Sequence, residues 1–429
     1  MHVNQKRHTI FYGWWVVGAC FLIALYTGGA VFFGFTAVFE PIANEFGWSY
    51  THVSVAASLR GLELGILAPL MGLLVDRWGP RRLIFGGVIV IGLGFVILSR
   101  INSLGMFYVA FVMVAIGIST CSATVLMAAV VNWFRKRLGI AVGIMSSGFA
   151  VGGLLVPLVA LSVDTFGWRI AIVGVALGMW IIGLPLSLLV RHRPEQYGYL
   201  PDGEVSSAVV VDEHLKPAQP AAAMTDRRFK QVLTAPTFWH IALSLMCQSL
   251  AVSAVVTHVM PYLSSVGIAR SFSSLVASAI PVASIGGRLG FGWFGDRFDK
   301  RLVAAASFIL MGLGMLFFSY VSAGWTLLLL PFLVLFGTGW GGSVSMRVAL
   351  LREYFGRRRF GAIHGFAIGV MMVGSIVGAP LAGWVFDTWG SYRGIWLIFA
   401  GCAGAAAINV GTTPPVKSKA SPIDVPGIA

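Results

Sequence analysis

The chain has 429 residues, of which 57% are hydrophobic and only 11% are charged, and its formal net charge is +14. A soluble globular domain carries about 25% charged residues, so this composition excludes a water-soluble protein. A positive balance of this size raises nucleic-acid binding as a function, and the placement of the charges, described below, excludes that class.

Twelve apolar stretches follow one another along the chain, each close to the ~20 residues that a membrane-spanning helix needs. They are continuous rather than alternating, which favours helices over a β-barrel. No small-residue cleavage site follows the first stretch, so we expect a retained helix rather than a signal peptide. The sequence predicts an all-α membrane protein with spans at residues 14–37, 51–75, 83–100, 105–131, 139–162, 169–190, 238–263, 272–295, 302–321, 325–350, 362–386 and 393–413.

Lysine and arginine residues concentrate before the first span, after the even-numbered spans, in the central polar stretch and in the tail. The connections from odd- to even-numbered spans hold only four, all at span edges: Arg100, Arg169, Arg270 and Arg393. This distribution obeys the positive-inside rule and places both termini in the cytoplasm. The charge therefore indicates topology rather than a nucleic-acid footprint. The expected location is the plasma membrane, which in a bacterium is the inner membrane.

One long polar segment divides the spans six and six. It contains Pro, Asp, Glu and Ala-rich pieces and is expected to be a flexible cytoplasmic linker. The predicted domains are an N-terminal six-helix bundle (1–190), the linker (191–237), a C-terminal six-helix bundle (238–413) and a cytoplasmic tail (414–429).

The two halves repeat each other. Asp76-Arg77 after span two matches Asp296-Arg297 after span eight at an offset of 220 residues. Asp164, at the end of span five, matches Asp387, at the end of span eleven, at an offset of 223. Nearly constant offsets indicate an internal duplication. Two six-helix halves of this kind occur in alternating-access carriers, whose site lies between the halves near mid-membrane.

The motif Gly72-Leu-Leu-Val-Asp76-Arg77-Trp-Gly-Pro-Arg81-Arg82 resembles a signature of the major facilitator superfamily, and the resemblance covers almost the full chain. Within that superfamily the chain is similar to the monocarboxylate transporters and their bacterial oxalate/formate-exchanger relatives. Three features carry this similarity: Tyr12-Gly13-Trp14-Trp15 in span one, the stretch from Trp133 to Gly148, and Arg288 followed by Gly292.

The resemblance implies two pseudo-symmetric bundles that move as a rocker switch, with Arg288 as the substrate-binding arginine. Two positions depart from the animal transporters. Phe33 stands where they have a lysine in span one, and Ser284 stands where they have an aspartate four residues before the arginine. A proton route would therefore differ from theirs.

Arg288 is the residue to which the sequence assigns substrate binding. It precedes Asp296 by eight residues, which places it ~12 Å from the cytoplasmic surface, near the centre of a ~30 Å core. Such a cation persists mostly where it faces a cavity, a partner or a substrate. Its planar guanidinium group can donate two parallel hydrogen bonds to a carboxylate. Ser284, one helical turn away, could add a hydroxyl group. The alternative is a structural arginine bonded to backbone carbonyls.

Glu63 is the only acid well inside a predicted span, and Arg60 lies on the same helix face. Burial disfavours an ionised carboxylate, whereas a neighbouring arginine favours it. A site balanced between these effects could take up and release a proton. Glu63 and Arg60 are therefore proton-coupling candidates, with a fixed ion pair that holds span two as the alternative.

Further candidates for substrate binding are weaker. Arg347 could be a second anion contact or could extend to the interface, and His258 could face the external vestibule or be a hydrogen-bonded structural residue. Tyr26 and Trp340 lie near mid-span and each has a polar group, a hydroxyl or an indole N–H, that could contact a substrate. The alternative for both residues is a role in core packing.

The two Asp-Arg loops predict a cytoplasmic gate. Their charges lie at the inner surface, where they could pair with neighbouring helix ends and hold that side shut until the carrier opens inward. The residues are Asp76, Arg77, Arg81, Asp296 and Arg297. A topology signal alone is the alternative.

The embedded charges favour anions, because Arg60, Arg288 and Arg347 outnumber Glu63. The expected function is secondary active transport of small organic anions, monocarboxylates first, coupled to protons. The alternatives are carboxylate/dicarboxylate exchange, drug or metabolite efflux, and a non-transporting membrane sensor, which the short linker and tail disfavour. The sequence has no nucleotide loop, metal constellation or nucleophile–base motif, so we predict neither an enzyme nor a cofactor. The expected partners are the carboxylate, protons and the lipid bilayer, and we expect a monomer.

Overall fold

The computed structural model of the chain describes residues 11–59, 66–134, 137–191, 194, 234–355 and 360–414. In these ranges the N-terminal half contains α1 (Tyr12–Tyr26), α2 (Phe35–Phe46), α3 (Tyr50–Ser58), α4 (Ala68–Trp78), α5 (Pro80–Ser99), α6 (Leu104–Thr120), α7 (Ala123–Val131), α8 (Leu138–Val151), α9 (Val156–Phe166) and α10 (Trp168–Leu189). The C-terminal half contains α11 (Pro236–Ser265), α12 (Arg270–Arg297), α13 (Lys300–Ser319), α14 (Leu329–Phe355), α15 (Phe360–Trp389) and α16 (Arg393–Gly411).

Eleven helical stretches in the described part of the chain are long and apolar enough to cross a membrane. They coincide with eleven of the twelve predicted spans, and the all-helical fold class is confirmed. The remaining predicted span, 51–75, coincides with α3 and α4. These two helices flank residues 60–65, which lie outside the described residues.

The first span is longer than predicted. It consists of α1, a π-helical stretch (Thr27–Phe33) and α2, and it ends at Phe46 rather than at residue 37. The sequence suggested the earlier end because Glu40 and Pro41 interrupt the apolar run. In the structure the helix continues, since α2 buries Phe39 and Ile42 and exposes Asn44 and Glu45.

The N- and C-terminal halves meet where α3 contacts α15 and α11, where α2 contacts α11, and where α8 and α9 contact α12. We call one end of the bundle the distal end. It carries the connections 47–49, 100–103, 167, 266–269, 320–325 and 390–392, and it lies opposite the proximal end, where α1 begins and α16 ends. The described connections within each half are short, so successive spans are antiparallel.

Candidate substrate site and gates

Arg288 lies on α12, half-buried, and the crossing of α12 with α14 fixes its backbone. A Cβ atom at Gly341 would lie 1.9 Å from the carbonyl oxygen of Ser284 and 2.8 Å from the backbone nitrogen of Arg288. The hydroxyl of Ser345 donates a hydrogen bond to the carbonyl of Arg288 at 3.0 Å. Only glycine permits this approach, and the base of the arginine is therefore held rigidly.

The guanidinium of Arg288 has no counter-charge among the side chains that the structure describes. Its Nε atom is buried and has no hydrogen-bond partner among the described residues. No carboxylate in the described ranges forms an ion pair with it. A buried donor without a partner costs about 1–3 kcal/mol, and more when it is charged. The site therefore favours an incoming anion.

Ser284 lies at the same crossing and is fully buried. Its hydroxyl donates to the carbonyl of Pro281 at 2.6 Å, within α12. The hydroxyl proton is thus already used in the helix, so any contact of Ser284 with an anion would require this bond to break.

Arg347 is a second cation in the same half. Its Nη1 atom lies 3.2 Å from the sulfur of Met371 on α15, and its Nε atom is buried with no hydrogen-bond partner among the described residues. A thioether is a weak acceptor. Arg347 is close enough to Arg288 to feel its charge, and His364 on α15 is close enough to feel that of Arg347. The C-terminal half therefore contains two arginines that repel each other.

Aromatic side chains from the two halves contact each other at the depth of Arg288. Phe33, at the end of the π-helical stretch, contacts Trp340 on α14 edge-on with ring centroids 6.3 Å apart, and it contacts Phe149 at 5.5 Å. Trp340 thus lies at the interface. Tyr26, by contrast, donates its hydroxyl to the carbonyl of Val175 on α10 at 2.9 Å, so its polar atom faces its own half.

His258 is fully buried where three helices meet near the distal end. Its Nε2 atom lies 2.9 Å from both the hydroxyl of Ser54 on α3 and the carbonyl of Ala379 on α15, and its Nδ1 atom lies 2.9 Å from the hydroxyl of Tyr392. These three partners favour the structural alternative over a role in an external vestibule.

The partners also determine the tautomer of His258. The hydroxyl of Ser54 donates to the carbonyl of Tyr50 at 2.6 Å, so its oxygen can only accept from the imidazole, as the carbonyl of Ala379 must. Nε2 therefore carries the proton. Burial, with nearby charges adding to it, raises the pKa of Tyr392 well above its usual range, so the phenol keeps its proton and donates it to Nδ1. A neutral imidazole satisfies all three partners.

Two aspartates close the distal end. The carboxylate of Asp387 on α15 accepts hydrogen bonds from the backbone nitrogens of Tyr50 at 2.9 Å and Thr51 at 2.8 Å, and from the hydroxyl of Thr51 at 2.5 Å. In the other contact, Asp164 on α9 lies 2.5 Å from Nε of Arg270 on α12.

Arg270 joins Asp164 to two further groups of the N-terminal half. It also donates to the carbonyl of Ala37, and its Nη1 atom lies 3.8 Å from the carboxylate of Glu40. In the sequence, both aspartates are recognisable only as markers of the repeat. Their matched positions at the ends of spans five and eleven were the signal that could have identified them.

Four residues of the predicted proximal gate have described side chains, and none of these forms an ion pair with the opposite half. Asp296, Arg297 and Arg77 are exposed, Arg81 is half-buried, and Arg297 stacks over the ring of Trp293 at 3.8 Å. No ion pair joins the two halves at this end among the described side chains. The side chain of Asp76 and the residues Arg60 and Glu63 lie outside the described part.

Charges near the second Asp-Arg loop are satisfied within their own half. The side chain of Arg301 binds both carboxylate oxygens of Asp299 and the carbonyl of Thr413. These hydrogen bonds from Arg301 lower the pKa of Asp299. The hydrogen bonds and ion pairs observed between described residues of the two halves thus lie in the distal part, where they hold the halves together.

Comparisons with known proteins agree with this architecture. A family model described as Major Facilitator Superfamily matches residues 19–289 and 259–426. The chain is 26% identical to monocarboxylate transporter 12 of Xenopus laevis over 402 residues, covering 90% of this chain and 85% of that protein. It is 23% identical to the oxalate:formate antiporter of Oxalobacter formigenes, covering 88% and 85% of the two chains.

The fold has been seen in solved structures. One of them is a bacterial homolog of the human lysosomal transporter Spinster in an inward-facing, unoccupied conformation. It aligns with a TM-score of 0.68 at 15% identity and covers 94% of this chain and 95% of that chain.

Proposed function

The chain belongs to the major facilitator superfamily, and from that premise we propose that it is a secondary active transporter of small organic anions, with monocarboxylates as substrates and protons as the coupled ion. The observation that supports this most directly is the guanidinium of Arg288, whose buried Nε atom has no acceptor among the described residues. A carboxylate supplies two acceptors in the plane of the guanidinium fork.

The proposed transport cycle follows from the positions of the contacts. The positive-inside distribution directs the proximal end to the cytoplasm, so the structure corresponds to a state closed to the outside. The anion would dock on Arg288, at the depth of the contact between Phe33 and Trp340. The halves would then rock about that depth, breaking the distal contacts and pairing the Asp-Arg loops at the proximal end. A monomer in the plasma membrane suffices for this cycle.

Anion exchange is a second candidate function, and Arg347 favours it. A substrate with two carboxylates could place one on Arg288 and the other near Arg347, and it would relieve the repulsion between these two cations. The curated relative from Oxalobacter formigenes is an oxalate:formate antiporter. Exchange of a dianion for a monoanion would require no proton.

Uptake by purified protein in proteoliposomes tests both candidates. A panel of labelled mono- and dicarboxylates is offered with and without an inside-alkaline pH gradient, and separately to vesicles preloaded with unlabelled anion. Proton-coupled transport predicts accumulation that the gradient drives in empty vesicles. Exchange predicts uptake only into preloaded vesicles. Transport of neutral or cationic solutes, with no carboxylate accepted in either format, would refute the proposal.

A further inference from the structure

The first turn of α3 is capped by the opposite half of the protein. The first N–H groups of a helix have no partner within it. In α3 the N–H groups of Tyr50 and Thr51 both donate to the carboxylate of Asp387, and the hydroxyl of Thr51 adds a third bond. A carboxylate at a helix N-terminus also interacts favourably with the helix dipole. One side chain of α15 thus satisfies three donors across the interface.

The internal repeat supplies an equivalent contact with different chemistry. Asp164 is the counterpart of Asp387, and Arg270, which begins α12, is the counterpart of Tyr50, which begins α3. Each aspartate therefore meets the helix start of the other half. The contact at α12 is an ion pair between Asp164 and the Arg270 side chain, whereas the contact at α3 engages the main chain.

Packing around Asp387 keeps its carboxylate against α3. The rings of Tyr50 and Phe386 stack with centroids 4.8 Å apart at 20°. A Cβ atom at Gly383 would lie 2.8 Å from the carbonyl carbon and oxygen of Tyr50, so only glycine allows the two helices this close. One turn further in, Ser54 bonds His258. The distal end therefore cannot open unless α3 separates from α15, which breaks the hydrogen bonds from two backbone amides to the carboxylate.

The contacts of Asp387 and Asp164 also differ in the partners that remain when the aspartate is lost. Arg270 and Asp164 have side-chain exposures of 24% and 40%, and Arg270 keeps Ala37 and Glu40 as further partners. Asp387 is itself exposed, so water reaches both contacts and exposure does not rank them. Loss of the Asp387 carboxylate leaves three donors of α3 without their acceptor, whereas loss of the Asp164 carboxylate leaves Arg270 with its two other partners.

We propose that Asp387 is the latch that holds the distal gate closed, and that the Asp164–Arg270 ion pair contributes a minor part. The latch sets the equilibrium between the distally closed and distally open states. This inference depends on the alternating-access part of the proposed function and not on which solute is carried.

A reporter cysteine below the gate tests the proposal. Ala277 on α12 lines a small cavity between the halves, together with Phe33, Thr36 and Val256, and it is 5% exposed. In the Ala277→Cys protein, a membrane-impermeant thiol reagent added outside right-side-out vesicles reacts only when the distal gate opens. The parent protein, with its four native cysteines, supplies the blank for labelling.

Asp387→Asn in this background should raise the labelling rate about tenfold. The asparagine side chain has no charge, and its NH2 group cannot accept a hydrogen bond from a backbone N–H of α3. The matched control is its repeat counterpart, Asp164→Asn, which should raise the rate by less than about fivefold. Thr51→Val removes only the hydroxyl bond and should give an intermediate increase. If size-exclusion chromatography shows that Asp387→Asn is unstable, the labelling rate of Thr51→Val alone tests whether the latch holds the distal gate closed.

An unchanged labelling rate in Asp387→Asn and Thr51→Val would overturn the proposal, as would a larger increase in Asp164→Asn. The labelling is done without any substrate. A failure of carboxylate uptake would therefore count against the proposed function alone, and a failure of the labelling contrast would count against the latch alone.

Discussion

Replacement of Arg288 is the most direct test of anion capture. A bidentate contact gives a carboxylate two charge-assisted hydrogen bonds, each contributing about 1.5–3 kcal/mol. Arg288→Lys keeps the charge but cannot form the planar pair, so it loses one bond. Because 1.4 kcal/mol corresponds to a factor of ten, uptake at low substrate concentration should fall about 10- to 150-fold. Arg288→Ala loses both bonds and the charge, so its uptake should be abolished.

The assay is initial-rate uptake of a labelled carboxylate into proteoliposomes, at a substrate concentration well below KM. Arg100→Ala is the matched control, since it also removes one arginine but from an exposed position at the distal end. Equal reconstitution of the three variants is checked by immunoblot and by monodisperse elution. Parent-level uptake by Arg288→Ala would refute the reasoning, and equal rates for Arg288→Lys and the parent would exclude the bidentate geometry.

Three further predictions concern other residues. Arg347→Met should weaken competition by dicarboxylates about tenfold or more and leave monocarboxylates unaffected, and a parallel loss of both would contradict a second anion contact. Glu63→Gln should abolish accumulation driven by a pH gradient but spare exchange in preloaded vesicles, and retained gradient-driven accumulation would exclude Glu63 as the proton site. Gly341→Ala should lower the thermal midpoint in detergent and the uptake rate, because the new methyl group meets backbone atoms of α12. Gly290→Ala, with open space around it, is its control, and equal midpoints would refute the packing argument.

The features that depend on local composition could be predicted from the sequence. Continuous apolar stretches located the spans, because the backbone N–H and C=O groups of a segment in lipid must form their hydrogen bonds within the protein. The repeated Asp-Arg and Asp-Thr segments predicted two equivalent halves, and the depth of Arg288 followed from helix geometry. The largest boundary error, at residue 37, occurred where α2 becomes amphipathic around Glu40 and Pro41.

Features that depend on which helices meet could not be predicted. His258, Ser54 and Tyr392 are far apart in the sequence, and nothing local assigns one as the partner of another. The hydroxyl of Tyr26 could have faced either the other half or α10, and only the packing of α1 decides it. The contact of Asp387 with α3 is harder still to predict, because its acceptor role is visible but its donors are backbone groups without a sequence signature.

That last contact has an evolutionary consequence. The carboxylate of Asp387 recognises main-chain N–H groups, which every residue except proline possesses. A substitution at position 50 therefore loses the ring stacking on Phe386 but leaves those two bonds intact, provided that a helix still begins there. For these two bonds, selection acts on Asp387 and on Gly383, whose missing side chain permits the approach, and no compensating mutation in α3 is required.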